Sequence, residues 1–219
     1  MKQVLNKAGL VVLMAAGLGL MGCDDQAVNA GAQASLSFTA SGGANLLGDP
    51  TPPQNPITVA GHVIAITSVE LQLSELEVEG DDSSKLEMRG SLIQVALPVN
   101  GTVVTPITAT LAPGTYTELE MKVQTVRIQG TFDGQPFDVS VFIDEDLETE
   151  IRPPLVKTDT SPANLTVVVD ISGWFRNPDG SVIDLRSMTA TSTERLATNI
   201  EISFDAFEDD DRSGSSHDD

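Results

Sequence analysis

The chain has 219 residues and a formal net charge of −20 at neutral pH, from 12 basic and 32 acidic side chains. A field of that sign repels phosphate backbones and anionic headgroups, which argues against nucleic acid as a partner and against electrostatic docking to a membrane. The one cysteine, Cys23, leaves no second thiol for a disulfide, so stability must come from a core.

Lys2 and Lys7 flank the start of the chain, and Gly9 to Gly22 is a run of fourteen residues without a polar side chain. That is shorter than the ~20 residues a membrane-spanning helix needs, so residues 1–22 read as a signal peptide. Leu20-Met21-Gly22-Cys23 closes the run and resembles the lipobox of bacterial lipoproteins. The resemblance implies cleavage before Cys23, diacylation of its thiol with palmitate-type chains, and acylation of the new amino terminus. Anchoring by more than one chain is what stable attachment requires. Loss of residues 1–22 would leave ten basic against 32 acidic residues, a net charge of −22. Asp24 and Asp25 follow the cysteine, and in some bacterial groups an aspartate there holds lipoproteins at the inner membrane. The choice between inner and outer membrane stays open.

From residue 23 to residue 56 the chain is rich in Ala, Gly, Asn, Gln and Pro and reads as a tether with one possible strand, Gln33 to Thr39, carrying Ala34, Leu36 and Phe38 on one face. Residues 57–207 form the expected domain, of ordinary size for one core. Apolar residues there recur every second position between turn signals, which predicts an all-β fold, a single antiparallel β-sandwich. In the first long strand Val69, Leu71 and Leu73 share a face; the phase slips at Ser74-Glu75, and Leu76 and Val78 follow. Leu119, Met121, Val123, then Val126 and Ile128 repeat the pattern, with the slip at Gln124-Thr125. Keeping each set of five in one core needs a bulge or a bend. A chance match of the two patterns and a structural one both stand.

Leu86, Met88 and Ile93 to Val99 supply further strand, and Asn100-Gly101 predicts a tight hairpin at an edge marked by Pro98. Asp133-Gly134 turns the second long strand back through Phe137, Val139, Val141 and Ile143. Leu165, Val167, Val169 and Ile171 alternate toward Trp174-Phe175, and Asn177-Pro178-Asp179-Gly180 is a further turn. Trp174 reads as a core plug in preference to an exposed sugar-stacking platform. The Ala-Pro-Gly-Thr-Tyr-Thr stretch at 112–117, the Asp-Gly hairpin, the Asn-Leu-Thr-Val-Val-Val-Asp strand at 164–170 and the Trp-Phe pair resemble uncharacterised bacterial envelope lipoproteins. These carry small β-sandwiches related to transthyretin and the carboxypeptidase regulatory domain. The resemblance implies a non-enzymatic module and brings no site residues with it.

Near the C-terminus, Thr191-Ser192-Thr193-Glu194 fits a helix cap, with Leu196, Ile200, Phe204 and Phe207 on one stripe. Ile200, Ile202 and Phe204 also alternate as a strand would; the helix is preferred because cap and stripe agree. Residues 208–219 read as a disordered acidic tail. Asp209, Asp211, Ser213 and Gly214 match the first half of a calcium loop, whose bidentate Glu would fall at residue 220. A solvated tail is the simpler reading. A second acidic cluster runs from Asp144 to Glu150; if Leu147 to Ile151 is a strand, Asp146, Glu148 and Glu150 share its outer face and could bind a cation, or could be a solvated face protecting an edge.

No Gly-x-Ser-x-Gly elbow, phosphate-cradling glycine loop or His/Cys zinc set occurs, and His62 is the only histidine before the tail. No cofactor is implied except calcium at the two clusters. The chain therefore reads as a lipid-anchored, membrane-attached envelope protein with a non-catalytic binding or structural module, whose partner would be an envelope protein or a glycan. The alternative is a calcium-dependent or carbohydrate-active enzyme using residues 144–150. The enzyme needs those carboxylates in a concave pocket with separated pKa values; the solvated face needs a convex surface.

Overall fold

The structure, a computed structural model, describes residues 33–43, 50–80, 85–160, 162–209 and 211–214, with the backbone alone at 88–91. The signal segment and Cys23 lie outside the described residues. Strand follows strand because the two-residue apolar period runs through most of the chain. The first five are β1 (Gln33–Ser41), β2 (Ile57–Val59), β3 (His62–Gly80), β4 (Lys85–Leu97) and β5 (Val104–Thr110). There follow β6 (Gly114–Phe132), β7 (Gln135–Lys157) and β8 (Ala163–Asp170), then helix α1 (Ala190–Glu201) and β9 (Phe204–Glu208).

Among the described residues these nine strands make one sheet, ordered β2-β3-β6-β7-β9-β8-β1-β5 with β4 also beside β3, and the sheet curls into a half-barrel. The all-β expectation holds. Two pairings, however, are parallel, β1 with β8 and β7 with β9, where the alternation predicts antiparallel strands throughout. Alternation reports which side chains are buried but not the direction of the neighbouring strand.

The two phase slips are real bulges, and they lie side by side. β3 and β6 pair with Val69 opposite Ile128, Leu71 opposite Val126, Leu73 opposite Val123, Leu76 opposite Met121 and Val78 opposite Leu119. The register shifts on either side of the Leu73–Val123 pair, leaving Gln124 and then Ser74 without an opposite residue. All ten apolar residues are at most 5% exposed, so the extra residues do what the pattern demands and return the apolar set to the core after a bend. The β6–β7 hairpin turns at Asp133-Gly134, both with positive φ as a type I′ turn requires. Trp174 and Phe175 are fully buried, edge to face with centroids 6.3 Å apart, and the indole N–H donates to Ser203 Oγ at 3.0 Å.

Four other expectations change. β1 is an interior strand between β8 and β5, so the compact unit begins at Gly31 and not at residue 57. Asn100-Gly101 joins β4 to β5, but the two strands pair with β3 and β1 respectively; the turn bridges the two ends of the sheet and closes no hairpin. Helix α1 is capped two residues earlier than expected, by Thr189 and Ser192, and it buries Leu196 and Ile200. It ends at Glu201, and Phe204 and Phe207 belong to β9, because β8 offers that segment an antiparallel ladder. Finally, the start of the expected disordered tail is ordered: Glu208 closes β9 and Asp209 is 1% exposed.

Gly130 faces Ile66 across the β3–β6 ladder, and a Cβ there would overlap the carbonyl oxygen of Ala65. Gly130→Ala should therefore lower unfolding stability by about 1–3 kcal/mol in urea titrations. Gly173→Ala, where nothing stands within 4 Å of the new Cβ, should change it by less than about 0.5 kcal/mol.

Candidate functional site

Because side chains alternate, burying the apolar sets of β3, β6 and β7 sends their polar residues to the outer side of the curled sheet. Register then assembles them into rows across four strands. The first row is Lys85, Glu79, Glu118 and Glu150; the second is Glu87, Glu77, Glu120 and Glu148; the third is Arg89, Glu75, Lys122 and Asp146. Nine carboxylates thus stand in register with two lysines, Lys85 and Lys122, and with the backbone of Arg89. Asp146, Glu148 and Glu150 do share a face, opposite buried Leu147 and Ile151. Their neighbours on β3, β4 and β6 were not selected from the sequence. The signal was present in the alternation of Glu75, Glu77 and Glu79 with Leu76 and Val78, but only strand pairing shows that these rows align.

The electrostatics of the face follow from crowding. Lys85 contacts Glu77, which is only 2% exposed, and lies 3.3 Å from Glu79 and 3.8 Å from Glu87. Its pKa is raised, chiefly by the hydrogen bond to Glu77. Lys122 Nζ donates to Asp146 at 3.3 Å, with Asp144 at 3.8 Å, and its pKa is raised by that bond first. Glu120 sits in the middle row, and its pKa is raised by partial burial and then by Glu77, Asp146, Glu148 and Glu75. Glu150 is held below its ordinary value by its bond to Arg152. Glu118, Glu148 and Glu150 border an open depression of about 400 Å³ with Thr117 and Thr149.

A cavity of about 430 Å³ lies elsewhere, among Ser41, Arg152, Val168, Asp170, Phe204 and Asp205. It contains none of the carboxylates selected from the sequence. The acidic rows therefore lie on the outward face of the sheet, spread over four strands, and not in that cavity.

The calcium-loop residues are held by other bonds. Asp209 accepts from Thr166 Oγ1 at 2.8 Å and from the backbone N–H groups of Ser213 and Gly214 at 2.9 Å each. Three of roughly four lone-pair positions on its carboxylate are thereby used. Asp211 also accepts from the Ser213 N–H at 2.9 Å. Among the described residues no group of three His, Cys, Asp or Glu side chains is placed to hold a metal ion. Cys23 lies outside the described residues.

Sequence reasoning also missed a clasp at the other end of the long strands. His62 Nδ1 lies 2.7 Å from Asp133 Oδ2, Val63 N–H donates to Asp133 Oδ1 at 2.9 Å, and Arg186 stands 4.5 Å from the centroid of Phe132. The bonds from His62 and Val63 hold the Asp133 carboxyl below its usual range. They fasten the Ala60-Gly61 turn to the Asp133-Gly134 turn. No family model, curated protein or solved structure matches the chain.

The raised pKa of Glu120 has a testable sign. Ionising it costs the native state, a cost present above its raised native pKa and absent below the unfolded value. Glu120→Gln should therefore raise the thermal midpoint at about pH 7, and the difference from the parent should vanish by about pH 4. Asp138 and Asp184 act in the opposite sense. Arg127 and Arg186 bond them and lower each to about 2, so their contribution is present at neutral pH and lost as pH falls from about 4 toward about 2.

Proposed function

We propose that the chain is a lipid-anchored protein of the cell envelope that displays a non-catalytic β-domain, attached to the membrane through acyl chains on Cys23. The observation that carries the reading is the sequence Leu20-Met21-Gly22-Cys23 after a short apolar run with Lys2 and Lys7 at its start. The domain supports a binding or structural role. The flanks of its curled sheet enclose a continuous apolar core, as the layers of a sandwich do, and Asp146, Glu148 and Glu150 lie exposed on its outer face. The partner of such a module is an envelope protein or a glycan, since a chain carrying 32 acidic residues repels nucleic acid.

Cys23→Ser should abolish acyl labelling and move the protein from the membrane to the soluble fraction. Membrane association that survives the substitution sinks the anchor. The rival reading, a calcium-dependent or carbohydrate-active enzyme using residues 144–150, rests on Asp146, Glu148 and Glu150 sharing one face. It requires a cation to bind the native state in preference to the unfolded chain. The thermal midpoint in about 1 mM calcium should equal that in magnesium at the same ionic strength. A calcium-specific rise would move the function to the acidic clusters.

A further inference from the structure

Charge is segregated along the sheet. Residues 90–117 contain no Asp, Glu, Lys, Arg or His, and neither do residues 26–48. The whole of β1 and β5, the last part of β4 and the loop between β4 and β5 come from these two stretches. The acidic rows lie on the other flank, across β4, β3, β6 and β7. Charge reaches the neighbouring strand β1 from the segment after β9, where Arg212 donates to Ser35 Oγ at 3.1 Å.

β5 is also the last strand of the sheet. Among the described residues it pairs with β1 alone, so one full edge of N–H and C=O groups has no ladder partner there. Natural edge strands are shielded by charges, prolines, bulges or a covering element. Here Pro106 and a register shift opposite Ser37 interrupt one end, while Ile107 to Thr110 continue in regular register with no charged side chain.

We infer that this edge is a self-association surface, on which a second copy of the chain adds its own β5 in antiparallel register about a two-fold axis near Thr108. Two features select a second copy. The strand is its own complement: Thr108 and Thr110 are exposed on one face and Ile107 is buried on the other, with Ala109 half-buried beside it. Pairing about Thr108 sets Ile107 against Ala109 of the second copy, apolar beside apolar, and sets hydroxyl beside hydroxyl on the outer face, an arrangement that favours cross-strand pairing. Electrostatics select the same edge. Two copies, each with a net charge of −20, repel through their acidic rows, and contact along β5 places no carboxylate of that strand opposite another.

The test uses the full chain in detergent. Its mass should be that of two chains, and the dimer should dissociate on dilution. In a Cys23→Ser background, Thr108→Cys should give a disulfide-linked dimer under mild oxidation, because the residue at the two-fold meets its own copy, whereas Ser140→Cys, exposed on β7, should stay single. Thr108→Asp sets two carboxylates face to face and should weaken dimerisation at least about tenfold, while its thermal midpoint should match that of the parent at dilutions where both are single chains. A single-chain mass at every concentration, or equal cross-linking through Thr108→Cys and Ser140→Cys, overturns the inference.

Discussion

The fold depends on one constraint: two nineteen-residue strands must stay apolar toward the core on both sides of a bend. A regular strand cannot do this, because its side chains keep strict alternation and a curled sheet changes direction beneath them. Ser74 and Gln124 are the solution. They flank the Leu73–Val123 pair, so the strands bend together and the ladder resumes in register on the far side. The irregularity continues outward, since β6 and β7 shift between Val123 and Thr125 and β3 and β4 between Leu73 and Glu75. One line of extra residues crosses four strands, and the half-barrel curls along it.

The acidic face is a consequence of the same constraint. Once Leu76, Val78, Leu119 and Met121 face inward, Glu75, Glu77, Glu79, Glu118 and Glu120 have no choice but to face out, and the bulges bring them to common levels. Like charges directly opposite one another are unfavourable. Lys85 and Lys122 offset part of that repulsion, and Glu120 shows the remainder as a raised pKa. The uncharged end of the sheet lies at β1 and β5. β1 and β5 carry no charged side chain, and β1 buries its hydroxyls there.

How far this could be read from the residues depends on the range of the interaction. Bulges, the Asp133-Gly134 hairpin and the outward placement of Asp146, Glu148 and Glu150 are local matters of alternation and turn chemistry, and all were legible. The burial of Trp174 followed from its place beside Phe175 at a strand end. What could not be read were pairings between distant segments. Ser35 bonds Asn164 across 129 positions, and nothing near Gln33 announces that a parallel neighbour waits there. Asn100-Gly101 is a sound turn signal, yet whether a turn closes a hairpin depends on which strands lie beside its arms. For Phe204 and Phe207 the helical stripe was genuine as a pattern, but the free edge of β8 offered a ladder that the pattern does not contain.

The ordered start of the C-terminal segment follows from the polar residues of β1. Ala34, Leu36, Phe38 and Ala40 fill the core, and by alternation Ser35, Ser37, Thr39 and Ser41 face the other way; all eight are at most 8% exposed. Hydroxyls removed from water need partners, or each costs about 1–3 kcal/mol. Asn164 Oδ1 accepts from Ser35 and Ser37 at 2.7 and 2.8 Å, while its amide donates to Thr166 and to the Asp209 carbonyl at 3.0 Å each. Thr166 passes the chain of bonds to the Asp209 carboxylate, which is satisfied in turn by the amides of Ser213 and Gly214. Gly214 takes a φ of +78° there, which side chains rarely adopt, and a Cβ would also stand close to Val103 Cγ2, at 3.2 Å. The acidic residues after β9 are thus used in two ways. Asp209 works as an internal acceptor that closes a polar network over β1 and β8, and a protein with a single cysteine gains a link between β1 and the segment after β9 that it could not make through sulfur.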